Sequence, residues 1–200
     1  MPLTREGLGT GVAVAVDLVN TWDELEEEPD LIEDVRDVRT WLDWHGLHEA
    51  AKKLKPADVD RVRRLRSRFD RVFDAESEAD AVRLLNRLSA DYGTAPQLER
   101  AGSGWRLRSW PDERKGLDAV AAYATAGLLE AMRDLGWERF GRCAGSPCRC
   151  AFVDRSRNRN RRFCCTLCAD RVAQANYRAR KKKIHPASMS RGGMVSGKEA

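Results

Sequence analysis

Six cysteines fall between Cys143 and Cys168, and the first 142 residues contain none. A secreted fold held by disulfides spreads its cysteines along the chain. This crowding predicts instead a metal site in a reducing compartment, the cytoplasm. Cys143 and Cys148 are spaced C-x4-C, Cys164 and Cys168 are spaced C-x3-C, and 15 residues separate the pairs. Four thiolates at such spacing are the donor set of a structural, tetrahedral Zn2+. Gly145 and Pro147 favour a tight knuckle under the first pair. Cys164 and Cys168 are four apart, so they face one side of a helix's first turn. Cys165 and Cys168 form an alternative pair, and Cys150 reads as a small buried hydrophobe. His45 and His48 are three apart, but a pair at a helix boundary reads as surface or core rather than as ligands.

Between the cysteine pairs, Phe152-Val153 and Arg162-Phe163 are expected to form the arms of a hairpin, with residues 155–160 as its polar tip. Knuckle, hairpin and metal-anchored helix make a small treble-clef-like unit. It has too few apolar residues to fold alone, so zinc would supply much of its folding energy. After Cys168 nothing breaks a helix until Pro186, and five of the six residues from Arg178 to Lys183 are cationic. Such a helix suits phosphate, although cations at a helix C-terminus also answer its dipole.

Charge divides the chain at the same place. Residues 1–137 carry 20 basic and 27 acidic side chains; residues 138–200 carry 16 and 4. An acidic body with a basic end implies a polyanion partner for the end alone. The total of 200 residues, 42% of them hydrophobic, allows one or two domains with a real core. No targeting segment and no membrane span is expected, because the run over residues 12–19 is interrupted by Asp17 and is too short.

The elements that must position this chemistry are mostly helical. The run Gly11–Val19 reads as a strand or a helix start. Residues 23–30 form an acidic loop read as solvated. Pro29 and the spacing of Leu31, Val35, Val38 and Leu42 predict a helix over 30–44, and a short one is expected over 48–53. Asp58 opens a helix through Val59, Val62, Leu65, Phe69 and Val72, and Ser77 opens another that closes at Gly93. Residues 97–100 and 105–110 read as a hairpin ended by Pro111, and a long helix follows over Leu117–Leu135. The expected class is α+β: a mainly helical N-terminal domain with a small antiparallel sheet (1–137), the zinc module (138–184) and a disordered tail (185–200).

The C-terminal segment resembles the CGNR zinc finger of bacterial proteins classed as transcription regulators. The matching pieces are Cys143 and Cys148, Asp154-Arg155-Ser156-Arg157-Asn158, Arg161-Arg162-Phe163-Cys164, Cys168-Ala169-Asp170-Arg171 and Tyr177-Arg178-Ala179-Arg180. The aromatic-Cys step in that pattern selects Cys164 over Cys165 as third ligand. Ala169 and Asp170 replace the Gly and Asn of the naming motif, and phosphate repels Asp170, which Arg171 is free to pair with instead. The body resembles the ABATE domain that precedes this finger, through Asp17-Leu18-Val19-Asn20-Thr21, Trp41-Leu42 and the strand pair before Pro111. The resemblance implies a regulatory, ligand-sensing body, with Asp17, Asn20 and Thr21 as a candidate ligand site; by type alone these are turn and helix-cap residues.

The expected function is a cytoplasmic, zinc-dependent DNA-binding regulator. The contact surface would be Arg155, Arg157, Asn158, Arg159, Arg161 and Arg162 at the tip, with Arg171, Arg178, Arg180, Lys181, Lys182 and Lys183 on the helix. An RNA-binding or ribosome-associated module uses the same cations, but only Phe152, Phe163 and Tyr177 are there to stack on single strands. The remaining alternative is a protein-interaction finger on a body that binds a small molecule. An enzyme is not expected, because four thiolates close a zinc shell and no phosphate loop stands out.

Overall fold

The computed structural model describes residues 10–93, 97–102, 104–108 and 116–184. The expectations for Ser109, Trp110, Pro111 and the 185–200 tail lie outside the described residues.

Seven helices and two short antiparallel pairs are described. The run over Gly11–Val19 is helix α1, and all nine of its residues are buried. Its apolar character is therefore not a strand alternation but the all-round surface of a central helix. Thr10 opens it by accepting the Ala13 N–H at 3.3 Å. Helix α2 (Val35–Trp44) starts later than its apolar spacing indicates. Asp34 accepts the Arg36 N–H at 2.6 Å and Asp37 accepts the Asp34 N–H at 2.9 Å, so this reciprocal cap sets the start. Pro29 lies instead in the preceding loop, where its carbonyl takes the Asp23 N–H at 2.9 Å.

The short helix α3 spans His48–Ala51, and α4 (Asp58–Phe73) and α5 (Glu78–Tyr92) follow the expected apolar spacing. Strands β1 (Gln97–Ala101) and β2 (Gly104–Arg108) pair antiparallel, Gln97 opposite Arg108. Helix α6 (Leu117–Leu135) then crosses α1 closely. A 3-10 turn, Trp137–Arg139, leads into β3 (Phe140–Arg142), β4 (Ala151–Val153) and α7 (Thr166–Ile184).

The α1–α6 crossing depends on two glycines. A methyl on Gly127 would sit 2.1 Å from the Val12 nitrogen, and one on Gly11 would sit 2.3 Å from the Tyr123 carbonyl oxygen. Both obstacles are backbone and cannot rotate away. Gly127→Ala is expected to cost about 3 kcal/mol, lowering Tm by roughly 6–12 °C for a chain of this size. A thermal melt checks this, and an unchanged Tm would contradict the crossing.

One pairing differs from the expected hairpin. Phe152 and Val153 pair with Gly141 and Phe140, not with Arg162-Phe163, which carry no strand. The knuckle is thus the turn of its own hairpin rather than a feature beside one. The alternation of Phe140, Gly141 and Arg142 explains the choice. Phe140 faces the body, 5.6 Å from Phe73 between ring centroids. Gly141 leaves room for the Phe152 ring, whose Cζ lies 2.7 Å from where a Cβ would be. Phe140, Ala151 and Val153 belong to the body's hydrophobic core, while Phe152 packs with the cysteines. No helix among the described residues is long and apolar enough to cross a membrane.

Candidate metal centre and nucleic-acid interface

The Sγ atoms of Cys143, Cys148, Cys164 and Cys168 lie within 4.8 Å of one another, and all four residues are buried. Cys148–Cys164 and Cys164–Cys168 are each 3.7 Å apart. These separations are far too long for a disulfide. They match the edge of a tetrahedron with 2.3 Å Zn–S bonds, about 3.8 Å. Burial pushes the Cys148 thiol up. At Cys164, contact with Cys150, burial and the neighbouring thiols act the same way. So close a set of thiolates needs a cation among them, and the four residues fit a zinc ion by donor type, count and spacing.

Local structure delivers the donors. Cys143 and Cys148 flank the knuckle, closed by the Cys148 N–H to Gly145 carbonyl bond at 3.0 Å. The Cys143 N–H returns to the Cys150 carbonyl at 2.9 Å, as a hairpin requires. Cys164 stands just ahead of α7 and Cys168 lies in its first turn. Cys150 is buried among the cysteines without belonging to the fourfold set, and Cys165 is half-buried with its Sγ 3.8 Å from that of Cys164.

The arginines divide into two groups. Arg155, Arg157, Arg159 and Arg162, with Asn158, are exposed on the loop, and Arg178, Arg180 and Lys181 are exposed on α7. Lys182 and Lys183 continue the helix backbone, but their side chains lie outside the described ones. Arg161 and Arg171 turn inward, contrary to the expected surface. Arg161 donates to the carbonyls of Phe163 (3.0 Å) and Cys164, and lies 5.1 Å from the centre of the Phe152 ring. Arg171 donates to the Gly145 carbonyl and reaches the Cys168 sulfur at 3.7 Å. It therefore fastens α7 to the knuckle instead of pairing with the exposed Asp170.

Asp154 sets the shape of the arginine loop. Its carboxylate accepts the Ser156 N–H at 2.8 Å and the Arg161 N–H at 3.0 Å. Arg139 donates to the carbonyls of Asp154 and Ser156 at 2.8 and 2.9 Å. Burial alone would raise the Asp154 pKa; bonds from Ser156 and Arg161, with Arg139 nearby, outweigh it and hold the carboxyl below its usual range.

The three residues proposed as a ligand site lie together at the end of α1 but point apart. Asp17 faces His45, with 3.3 Å between carboxylate and Nε2, both side chains almost wholly buried. His48 instead meets Asp43 at 2.8 Å on the surface, so the two histidines share no site. The Thr21 hydroxyl donates to the Leu18 carbonyl at 2.7 Å and accepts from Arg66 at 3.0 Å. Asn20 accepts the Ala151 N–H at 2.7 Å and donates to the Ala151 carbonyl at 3.0 Å. Its amide thus covers the outer edge of β4 and joins body to finger. Asn20→Ala would strand both polar groups of Ala151, at a cost of about 2–4 kcal/mol. Faster hydrogen exchange at the Ala151 amide is the expected reading; unchanged protection would refute the role.

Spacing gave no signal for Arg142, which stapled the finger to α4. It donates to Asp74 at 2.9 Å and to Asp70 at 2.6 Å. The only sequence cue is a basic residue beside Cys143 facing an acidic body. Arg66 is similarly hidden in an arginine-rich helix; it makes a two-point bond to Asp30 at 2.6 and 2.9 Å. The acidic loop is thereby anchored, with Asp23 buried and Asp30 half-buried.

The family descriptions agree with this division. Residues 13–132 match the ABATE family, described as "Putative stress-induced transcription regulator". The chain belongs to the ABATE family. Residues 139–181 match the CGNR zinc finger, which includes all four clustered cysteines and most of α7. No curated protein matches the chain. This ABATE protein therefore joins a helical body to a metal-binding finger through a shared core, two Asn20 bonds and the Arg142 ion pairs.

Proposed function

We propose that this protein is a zinc-dependent, duplex-DNA-binding regulator whose body senses a ligand or partner and whose finger holds the DNA. The observation that carries the reading is the sorting of the finger's cations. Arg161 and Arg171 bind the finger's own carbonyls, while Arg155, Arg157, Arg159, Arg162, Arg178, Arg180 and Lys181 stay exposed on a loop and a helix fixed to one cysteine cluster. Phosphate contacts from these side chains would supply affinity, and Asn158, exposed among them, would read a base edge. Zinc held by four thiolates has no open position, so it orders the finger and does no catalysis. Cysteines held out of disulfides in this way suit the reducing cytoplasm.

The body enters because the finger is not loosely tethered. Asn20 caps the end of α1, Asp70 lies on α4 and Asp74 caps its end, so a change in those helices reaches the hairpin directly. Fluorescence anisotropy with labelled duplex DNA, competed by unlabelled structured RNA, tests the reading. Duplex DNA should bind and resist competition at equal nucleotide concentration. Displacement by RNA at lower concentration would transfer the finger to RNA, and no binding to either would remove the reading.

A further inference from the structure

A cleft of about 330 Å³ opens where the body meets the finger. Trp22, Glu24 and Arg66 come from the body, as does Asp74; Arg142 and Arg149 come from the hairpin and knuckle. Trp22 is 51% exposed, although the Arg66 guanidinium sits 5.5 Å from its ring centre. Arg66 is itself held by Asp30 and Thr21. The indole is therefore a supported platform with an open side, an arrangement suited to stacking a planar group.

The charges on the cleft are not all used. Arg142 is taken up by Asp70 and Asp74. Arg149, with a side chain 62% exposed, reaches among the described residues only Asp74 Oδ1, at 3.4 Å, and that oxygen already accepts from Arg142. Its remaining donors can take an anion. Glu24 is exposed and has no partner among the described residues, so it can take a cation. The volume falls at the small end of ligand pockets, which run about 300–1,000 Å³.

We propose that this cleft binds a small aromatic zwitterion of the amino-acid class. The ring stacks on Trp22, the carboxylate meets Arg149 and the ammonium meets Glu24. This deepens the reading of the body as the sensing half and rests on it. An occupant touching Arg149 and Trp22 together would bridge finger and body, biasing how the hairpin sits on α4.

The test uses the full, zinc-loaded chain. L-Phenylalanine, L-tryptophan, phenethylamine and 3-phenylpropionate are titrated by calorimetry. The two amino acids should bind, and the amine and acid should bind at least about tenfold more weakly. Trp22→Ala and Arg149→Ala should each weaken amino-acid binding by about tenfold or more. Glu24→Gln, a surface change with no structural bond to lose, should weaken the amino acids but not 3-phenylpropionate. Trp44→Ala, on another exposed tryptophan, should change nothing. No binding of either amino acid at millimolar concentration overturns the proposal, as does equal binding of all four probes or indifference to Glu24→Gln. Duplex-DNA affinity is measured on the same preparations without probe. Intact DNA binding with an unresponsive cleft overturns this inference alone, whereas lost DNA binding with a responsive cleft overturns the proposed function alone.

Discussion

Chelating the metal at neutral pH is expected to unfold the finger and leave the helical body standing. The body has its own core, led by Leu18, Leu42, Leu65, Phe69 and Leu128. The finger has little beyond Phe152 and the cysteines. Structural zinc contributes on the order of 10–16 kcal/mol in finger peptides, as much as an entire domain's usual net stability of about 5–15 kcal/mol. Far-UV circular dichroism should therefore lose the signal of α7 and keep that of α1, α4, α5 and α6. Body stability should fall as well, because Phe140, Ala151 and Val153 complete its core. Cys168→Ser should prevent stoichiometric zinc binding by mass spectrometry, while Cys150→Ala should preserve it, since Cys150 is outside the fourfold cluster. Loss of zinc in Cys150→Ala, or a helix α7 indifferent to chelation, would overturn the assignment of ligands and of their role.

The legible parts of the molecule were those whose cause is local. Two thiolates at C-x4-C or C-x3-C spacing reach a common ion whatever surrounds them, so the cysteines carried their chemistry in their numbering. Helices α4 and α5 were legible because each buries one stripe and solvates the other. Helix α1 was ambiguous because every face is buried, leaving no period to read. The sequence points Phe152-Val153 to the wrong partner strand because β3 is three residues long and lies outside the cysteine pairs. Asn20 reads from sequence as a cap, and its bonds to Ala151 span 131 residues. No pattern near residue 20 announces an edge strand arriving from the other end of the chain. Arg161 and Arg171 resembled their exposed neighbours for a related reason. Residue type gives a charge, and only packing decides whether that charge faces a carbonyl or the solvent.

That last distinction predicts two classes of arginine variant. Duplex-DNA affinity should fall steeply with salt. If six or seven of the exposed cations meet phosphates, the loss is about 10³–10⁴ between roughly 50 and 200 mM salt. Arg157→Ala, Arg162→Ala and Arg178→Ala should each weaken binding across sequences and flatten the logarithmic salt slope by about one, with zinc content and Tm unchanged. Arg171→Ala should behave differently. It removes the donor to Gly145 that joins α7 to the knuckle, so zinc should dissociate faster and Tm should drop before any question of DNA arises. Arg161→Ala should follow Arg171, because its partners are the Phe163 and Cys164 carbonyls. Asp170→Asn supplies the opposite sign: an exposed negative charge is removed from the helix proposed to meet DNA, and affinity should rise at low salt and converge with the parent at high salt. A salt-independent affinity would exclude the phosphate interface altogether. A uniform response of all five arginines would instead mean that the inward bonds of Arg161 and Arg171 do not set them apart.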